Sequence, residues 1–316
     1  MQKNKTLIIG WPVQPKQAWL AQYDDIATDR IYREKVTWSE KKLKDLSFHL
    51  PKSLQLCECV RPSTYYGAWK EHVSDYDTII LIDEIRGRDV FEYILQQNPK
   101  CNLCVFIDSP IREGSKKEPF LYKDLPVKFF TCDRKIANKY NISFMPYFYI
   151  FSLYAYAEYG KMVAEAPESD VFFVGEEKGD RAERIAQIKD ILDAAHLQHD
   201  IHLVPQDRRG KKKAAYMAYA EVIEHVKRSK AILELISDGQ TGITQRPYEA
   251  LFLRKKLITT SAEIKNYDFY CEENVFVLGE RNVQELPQFL NAPFKDVDSE
   301  IVVEYTLERW VERFEK

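Results

Sequence analysis

Short runs of apolar residues alternate with longer stretches of mixed character along this chain. That pattern predicts buried parallel strands separated by helices. Residues 6–10, TLIIG, read as an all-apolar strand ending in glycine. TIILIDE, CVFID and KFFTCD read as three more strands, with DVFEYILQQ between the first two carrying its apolar residues on one helical side. Residues 21–76 show no clean period; strands are expected near Val36 and over 54–60, and no function is assigned there. In the second half, VFFVG (171–175) predicts a strand, 182–195 a helix and DIHLVP (200–205) a strand. AYMAYAEVIEHVKRSK then has helical spacing, 231–236 and 256–260 are apolar strands around a helix of about three turns, 274–278 is a further strand, and 300–314 an amphipathic helix. Strand and helix alternating in this way predict two α/β domains with parallel sheets, divided by a polar linker at 160–170.

Composition changes this picture little. With 316 residues, 45% of them hydrophobic and 30% charged, the chain can build two proper cores. A formal net charge of -3 argues against a broad nucleic-acid footprint. No apolar run approaches the ~18 residues of a membrane span, and MQKNKTLIIG shows no cleavage pattern, so a cytoplasmic protein is expected. Six cysteines include the pairs Cys57 with Cys59 and Cys101 with Cys104, read as buried or incidental thiols in preference to zinc ligands. The six histidines lack metal-ligand spacing; His196, His199 and His202 are read as loop and strand-edge residues in a helix-to-strand connection, and no metal is expected.

Candidate chemistry gathers where strands end. In open α/β sheets ligands settle at the carboxyl ends of strands, and main-chain N–H groups opening a helix suit an anion. The strand at 231–236 runs into a turn with Gln240, Thr241 and Gly242 and then a helix carrying Arg246 and Glu249, both expected near the mouth of the site. Upstream, the strand at 171–174 runs into Gly175, Lys178 and Arg181, a second glycine-bearing turn with basic residues. Two such corners suit a diphosphate. The simpler reading leaves the glycines as turns and Arg246 with Glu249 as a surface pair. Asp83, Asp108 and Asp133 each follow a strand, where they line a ligand rim or cap the next helix.

The phrases QTGITQRPYEALFLRKKLITT, IKNYDFY and CDRKIANKYNISFMPYFYIF resemble bacterial glycosyltransferase-like proteins of capsule and lipopolysaccharide synthesis, of the GT-B type. The resemblance implies two Rossmann-like doubly wound domains facing across a cleft. It places an acceptor-side domain at 1–160, a nucleotide-sugar-binding domain at 161–297 and a C-terminal helix at 298–316 returning to the first domain. It implies a sugar nucleotide donor, a glycan or lipid-linked acceptor, and no cofactor or metal. Glu249 then matches the acidic residue that holds the ribose hydroxyls, while Thr241 stands where many retaining members carry a second glutamate. An inverting enzyme needs a general base, for which Asp108 comes first and Asp133 second. The aromatic run at 147–159 is read as inter-domain packing before an acceptor wall or membrane contact. DRRGKKK at 207–213 is a solvated loop or, alternatively, a peripheral contact with anionic lipid at the inner face of a membrane. The other function class weighed is a non-catalytic carbohydrate-binding or assembly protein on the same fold; a phosphate-binding hydrolase or epimerase is weaker.

Overall fold

A computed structural model describes residues 4–10, 23–33, 37–47, 61–83, 88–149, 167–205, 217–236 and 241–315. The chain divides into two compact units: Met1–Pro146 with Val311–Lys316, and Tyr147–Trp310.

The first unit is built on six parallel strands, β1 (Thr6–Ile9), β2 (Ile26–Asp29), β3 (Thr78–Ile82), β4 (Asn102–Ile107), β5 (Val127–Thr131) and β6 (Ser143–Phe144), ordered β2-β1-β3-β4-β5-β6. Its helices are α1 (Trp38–Ser47), α2 (Arg88–Gln97) and α3 (Arg134–Tyr140). β1 and β3 are buried at every position, as their unbroken apolar runs require of strands covered on both faces. Alternate residues serve the two faces: Leu7, Ile9, Ile79, Leu81, Leu103 and Val105 share a core with Val90, Phe91 and Ile94 of α2. Phe106 and Phe130 receive the edge of Phe314, at 6.4 and 4.8 Å between ring centroids, and Asn102 Nδ2 donates to the Phe314 main-chain oxygen at 2.6 Å.

The second unit holds five parallel strands, β7 (Ser169–Glu177), β8 (His199–Pro205), β9 (Ser229–Glu234), β10 (Lys256–Thr259) and β11 (Val275–Val277), ordered β11-β10-β9-β7-β8. Its helices are α4 (Arg181–Ala194), α5 (Tyr219–Lys227), α6 (Arg246–Phe252), α7 (Leu286–Asn291) and α8 (Ser299–Val303), and α9 (Leu307–Glu312) begins in this unit. Val171, Phe173, Ala231, Leu233, Ile258 and Phe276 face α4 and α7. The intervening residues face α5 and α6, so the sheet is doubly wound. In each sheet the first strand lies between the second and the third. The order therefore reverses between β1 and β3 and between β7 and β9, the position where such sheets open a crevice for ligands.

Four expectations change. β7 does not stop at Val174 but runs to Glu177, because Gly175, Glu176 and Glu177 pair with Leu203, Val204 and Pro205. The helix after β9 has seven residues, not three full turns, and the chain leaves it through Arg254 in the left-handed region at φ 53. The terminal helix is broken: α8 and α9 are separated at Glu304, Tyr305 and Thr306, where the buried Tyr305 hydroxyl donates to Asp268 Oδ1 at 2.5 Å. His199 and His202 lie within β8, outside any connecting loop.

Cys104 is buried in β4 and Cys101 half-buried before it, and burial pushes their thiols up to about 12 and about 11. Gln240, Cys57 with Cys59, the charged run at 207–213, the aromatic run beyond Tyr149, and the strands expected near Val36 and over 54–60 lie outside the described residues. Among the described residues no helix is long and apolar enough to cross a membrane.

Candidate functional site

At the reversal point of the second sheet, the first turn of α4 presents Arg181 and Arg184 to the strand ends. Arg181 Nη1 donates to the Glu176 main-chain oxygen at 2.7 Å, at the end of β7. Arg184 Nη1 donates to the Ile236 main-chain oxygen at 2.8 Å, just past β9, and Nη2 to Thr260 Oγ1 at 3.3 Å, just past β10. A carbonyl positions a guanidinium without neutralising it. Burial first, with the Arg184 charge adding to it, lowers the pKa of Arg181 even though Glu176 and Asp180 act the other way. Two like charges are thus assembled at one sheet end, with Asp180 3.9 Å from Arg184. Lys178 is exposed on the same connection, and the turn glycine there is Gly179, at φ 62.

Gly175 is therefore corrected: it lies within a strand and is not the glycine of the turn. A Cβ at Gly175 would stand 2.9 Å from Phe173 Cζ and 3.4 Å from Arg181 Nη1, so its lack of a side chain makes room for the Phe173 ring and the guanidinium.

Arg246 and Glu249 are also corrected. Both were expected at a mouth, yet Glu249 is 1% exposed. Its Oε2 takes a short ion pair from Arg246 Nη1, and its Oε1 accepts from the Tyr219 hydroxyl at 2.9 Å. The Tyr219 hydroxyl also reaches the Tyr149 hydroxyl at 3.2 Å. Burial, then the Glu249 charge, holds Tyr219 protonated well above its ordinary range. Arg246 Nη2 donates to the Val174 main-chain oxygen at 3.3 Å, tying α6 to β7. In this arrangement Glu249 is closed to a ribose diol, and Arg246 is neutralised by its partner.

The stretch between β9 and α6 has an anchor that sequence reading missed. Glu234, fully buried at the end of β9, accepts from Thr244 N and Oγ1, both at 2.7 Å, on one oxygen and from Thr259 Oγ1 at 2.6 Å on the other. Burial raises its pKa against those hydrogen bonds. Thr241 is half-buried and Gly242 buried in the stretch it holds. The helix that follows, α6, has only seven residues, with Pro247 in its first turn.

In the first unit, Asp83 and Asp108 follow β3 and β4. Asp83, at φ 55, accepts from Ser109 Oγ at 2.9 and 2.7 Å and from Lys117 Nζ at 2.5 Å. Asp108 meets solvent at its surface while crowded by protein. Desolvation first, then the Asp83 charge, pushes its pKa to about 6, with Lys117 acting in opposition. Asp133 is different: its Oδ1 accepts from Lys135 N at 2.8 Å and Ile136 N at 3.2 Å, the geometry of an N-cap on α3. Of the two carboxylates expected to act as base, Asp108 has its pKa raised and Asp133 is engaged in capping.

Arg184 was also missed. Its signal was present, since it lies one helical turn after Arg181, but its target carbonyl at Ile236 is 52 residues away in sequence.

No family model and no curated protein matches this chain. Among solved structures it is similar to the DNA-modifying enzyme beta-glucosyltransferase, determined with and without uridine diphosphoglucose, at 12% identity and a TM-score of 0.47 over 98% of this chain and 95% of that one. It is also similar to Anabaena Alr3699/HepE in complex with UDP, at 10% identity and a TM-score of 0.43 over 98% of this chain and 95% of that one. A likeness of this degree assigns no residue and no substrate to this chain.

Proposed function

We infer that the chain is a glycosyltransferase that moves a sugar from a nucleotide-diphosphate donor to a polysaccharide or glycolipid acceptor of the kind used in bacterial surface glycans. The observation that carries this reading is the Arg181 and Arg184 pair, held by main-chain carbonyls at the ends of β7 and β9 at the reversal point of the second sheet. Two guanidinium groups at the kind of sheet end where ligands settle suit an anion such as a diphosphate, which would join the nearby Asp180 and Glu176 as their partner.

In the reaction, the acceptor hydroxyl gives its proton to Asp108, its oxygen bonds to the anomeric carbon, and the bond from that carbon to the diphosphate oxygen breaks. The nucleoside diphosphate leaves with the electron pair, stabilised by Arg181, Arg184 and Lys178 without a metal. A base near pKa 6 is matched to that work at neutral pH. Glu249 and Arg246 fix α6 against β7, while Thr241 and Gly242 belong to the stretch that Glu234 orders.

Thr241, standing where many retaining members of the resembled family carry a second glutamate, favours a second reading, in which the fold is a carbohydrate-binding or assembly module without turnover. Release of nucleoside diphosphate from a panel of nucleotide sugars separates the two. Turnover that falls by about a hundredfold or more in Asp108→Asn supports the transferase; donor binding with no release by the unaltered chain leaves the binding module.

A further inference from the structure

We propose that Asp200, His202 and His225 form a divalent transition-metal site, of the class zinc occupies, that clamps the edge strand of the second sheet to helix α5. Asp200 and His202 are two apart on β8 and so project from the same face, while His225 comes from the last turn of α5, which covers that face. One ligand atom from each lies within 4.8 Å of the others. His202 Nε2 is 2.6 Å from Asp200 Oδ1, and His225 Nδ1 is 2.6 Å from Asp200 Oδ2. The carboxylate thus stands between two imidazoles, whose ring centroids are 5.1 Å apart.

These contacts serve as hydrogen bonds when the imidazole nitrogens carry protons. They become a ligand set when the protons leave, because zinc binds imidazole nitrogen and carboxylate oxygen at about 2.0–2.2 Å, with ligand atoms slightly more than 3 Å from one another. The two nitrogens now sit on opposite oxygens of the carboxylate and within 4.8 Å of each other, so rotation of the half-exposed side chains has to draw them together around one ion. Phe172 is buried beneath them and stacks on the His225 ring at 5.3 Å and 14°, which sets the direction of its nitrogens. The three groups are 30–39% exposed, and Asp200 and His225 line a surface cavity of 640 Å³ together with Glu221 and Glu224. The cavity, which Arg228 also lines, gives an ion a path to Asp200 and His225 past a predominantly acidic wall.

The site is separate from the strand ends discussed above. Asp200 pairs with Phe172, five residues before Glu177 at the end of β7, a distance of about 17 Å along the strand. Its role is to fasten β8, an edge strand with a neighbour on one side only, to the helix that precedes β9.

The test is calorimetric titration of zinc into metal-stripped full-length protein, alongside His202→Gln and the His202→Gln/His225→Gln double variant, with thermal unfolding in the presence and absence of zinc. The proposal predicts one equivalent bound, affinity lower by about tenfold or more in His202→Gln, and a zinc-dependent rise in Tm that the double variant loses. Circular dichroism confirms that the variants are folded, and His202→Gln, at a half-exposed position, keeps the comparison available if the double variant is not. No saturable binding by the unaltered chain, or equal affinity in His202→Gln, overturns it.

Discussion

Arg184 and Ile236 are joined by a 2.8 Å hydrogen bond from the guanidinium to a main-chain carbonyl, linking the first turn of one helix to the end of another element's strand. The bond fixes the direction of a positive charge while leaving the charge in place. Thr260 Oγ1 holds the second nitrogen, so the guanidinium spans the ends of β9 and β10. Asp180, 3.9 Å away, is its acidic neighbour, and the neutral oxygens fix its direction at the sheet end.

The Arg246 and Glu249 pair predicts a stability effect. Removing one partner strands the other inside the fold, so Arg246→Ala should lower unfolding free energy by about 3–5 kcal/mol. Tyr219→Phe removes a hydrogen bond to the same carboxylate and should cost about 1–3 kcal/mol. Urea unfolding monitored by circular dichroism checks both. An Arg246→Ala protein as stable as the parent would show that the pair is not the lock between α6 and β7.

Asp108 predicts a pH profile. As the base, it works only when ionised, so kcat/KM, which reports the free protein, should rise with pH through about 6 and level above it. Asp108→Asn should remove that limb together with most of the rate. Its folded pKa lies above the ordinary value of 3.8, so protonation favours the folded state. The stabilising contribution is complete below about pH 4 and is lost as pH rises through about 6; the asparagine variant should lack that loss.

Asp133 predicts the reverse balance. Asp133→Ala removes the cap of α3 and should cost about 1 kcal/mol of stability while leaving kcat and its pH dependence near those of the parent. A loss of rate comparable to Asp108→Asn, in a variant that remains folded, would move the base to Asp133.

Gly175→Ala tests the space beside Arg181. The new methyl crowds the buried Phe173 ring and the guanidinium, so a stability loss of about 1–3 kcal/mol and weaker nucleoside diphosphate binding are expected together. Unchanged unfolding and binding would show that the strand accommodates a side chain there.

Strands such as β1, β3, β4 and β10 were legible because their interior positions are apolar without interruption, whereas β2 (IATD) and β6 (SF) are too short and mixed to have been expected. TIILI and the run at 102–107 are buried on both faces, and no other element type fits runs of that length. The end of β7 was not legible, since Gly175 reads as a turn in isolation and only pairing with Leu203 keeps it in the sheet. The basic character of the second unit's strand ends was visible in Lys178 and Arg181. Which arginine meets which strand was not, because those contacts depend on the sheet order and reach across as many as 76 residues. Glu249 was placed at the surface because its spacing from Arg246 is that of an exposed helical pair, and the tyrosines that bury it come from elsewhere in the unit. The Asp200, His202 and His225 cluster was hidden for the same reason: a gap of 23 residues between the two histidines has no short motif, and only the packing of α5 on the sheet closes it.

The most direct measurement is calorimetric titration of nucleoside diphosphates into the parent protein, Arg181→Ala and Arg184→Ala. If the guanidinium pair holds the diphosphate, at least one nucleoside diphosphate binds the parent saturably, and each substitution weakens it by about tenfold or more through loss of a charge-assisted hydrogen bond. Absence of binding to the parent, or equal affinity in both folded variants, would contradict the assignment of this sheet end as the donor site.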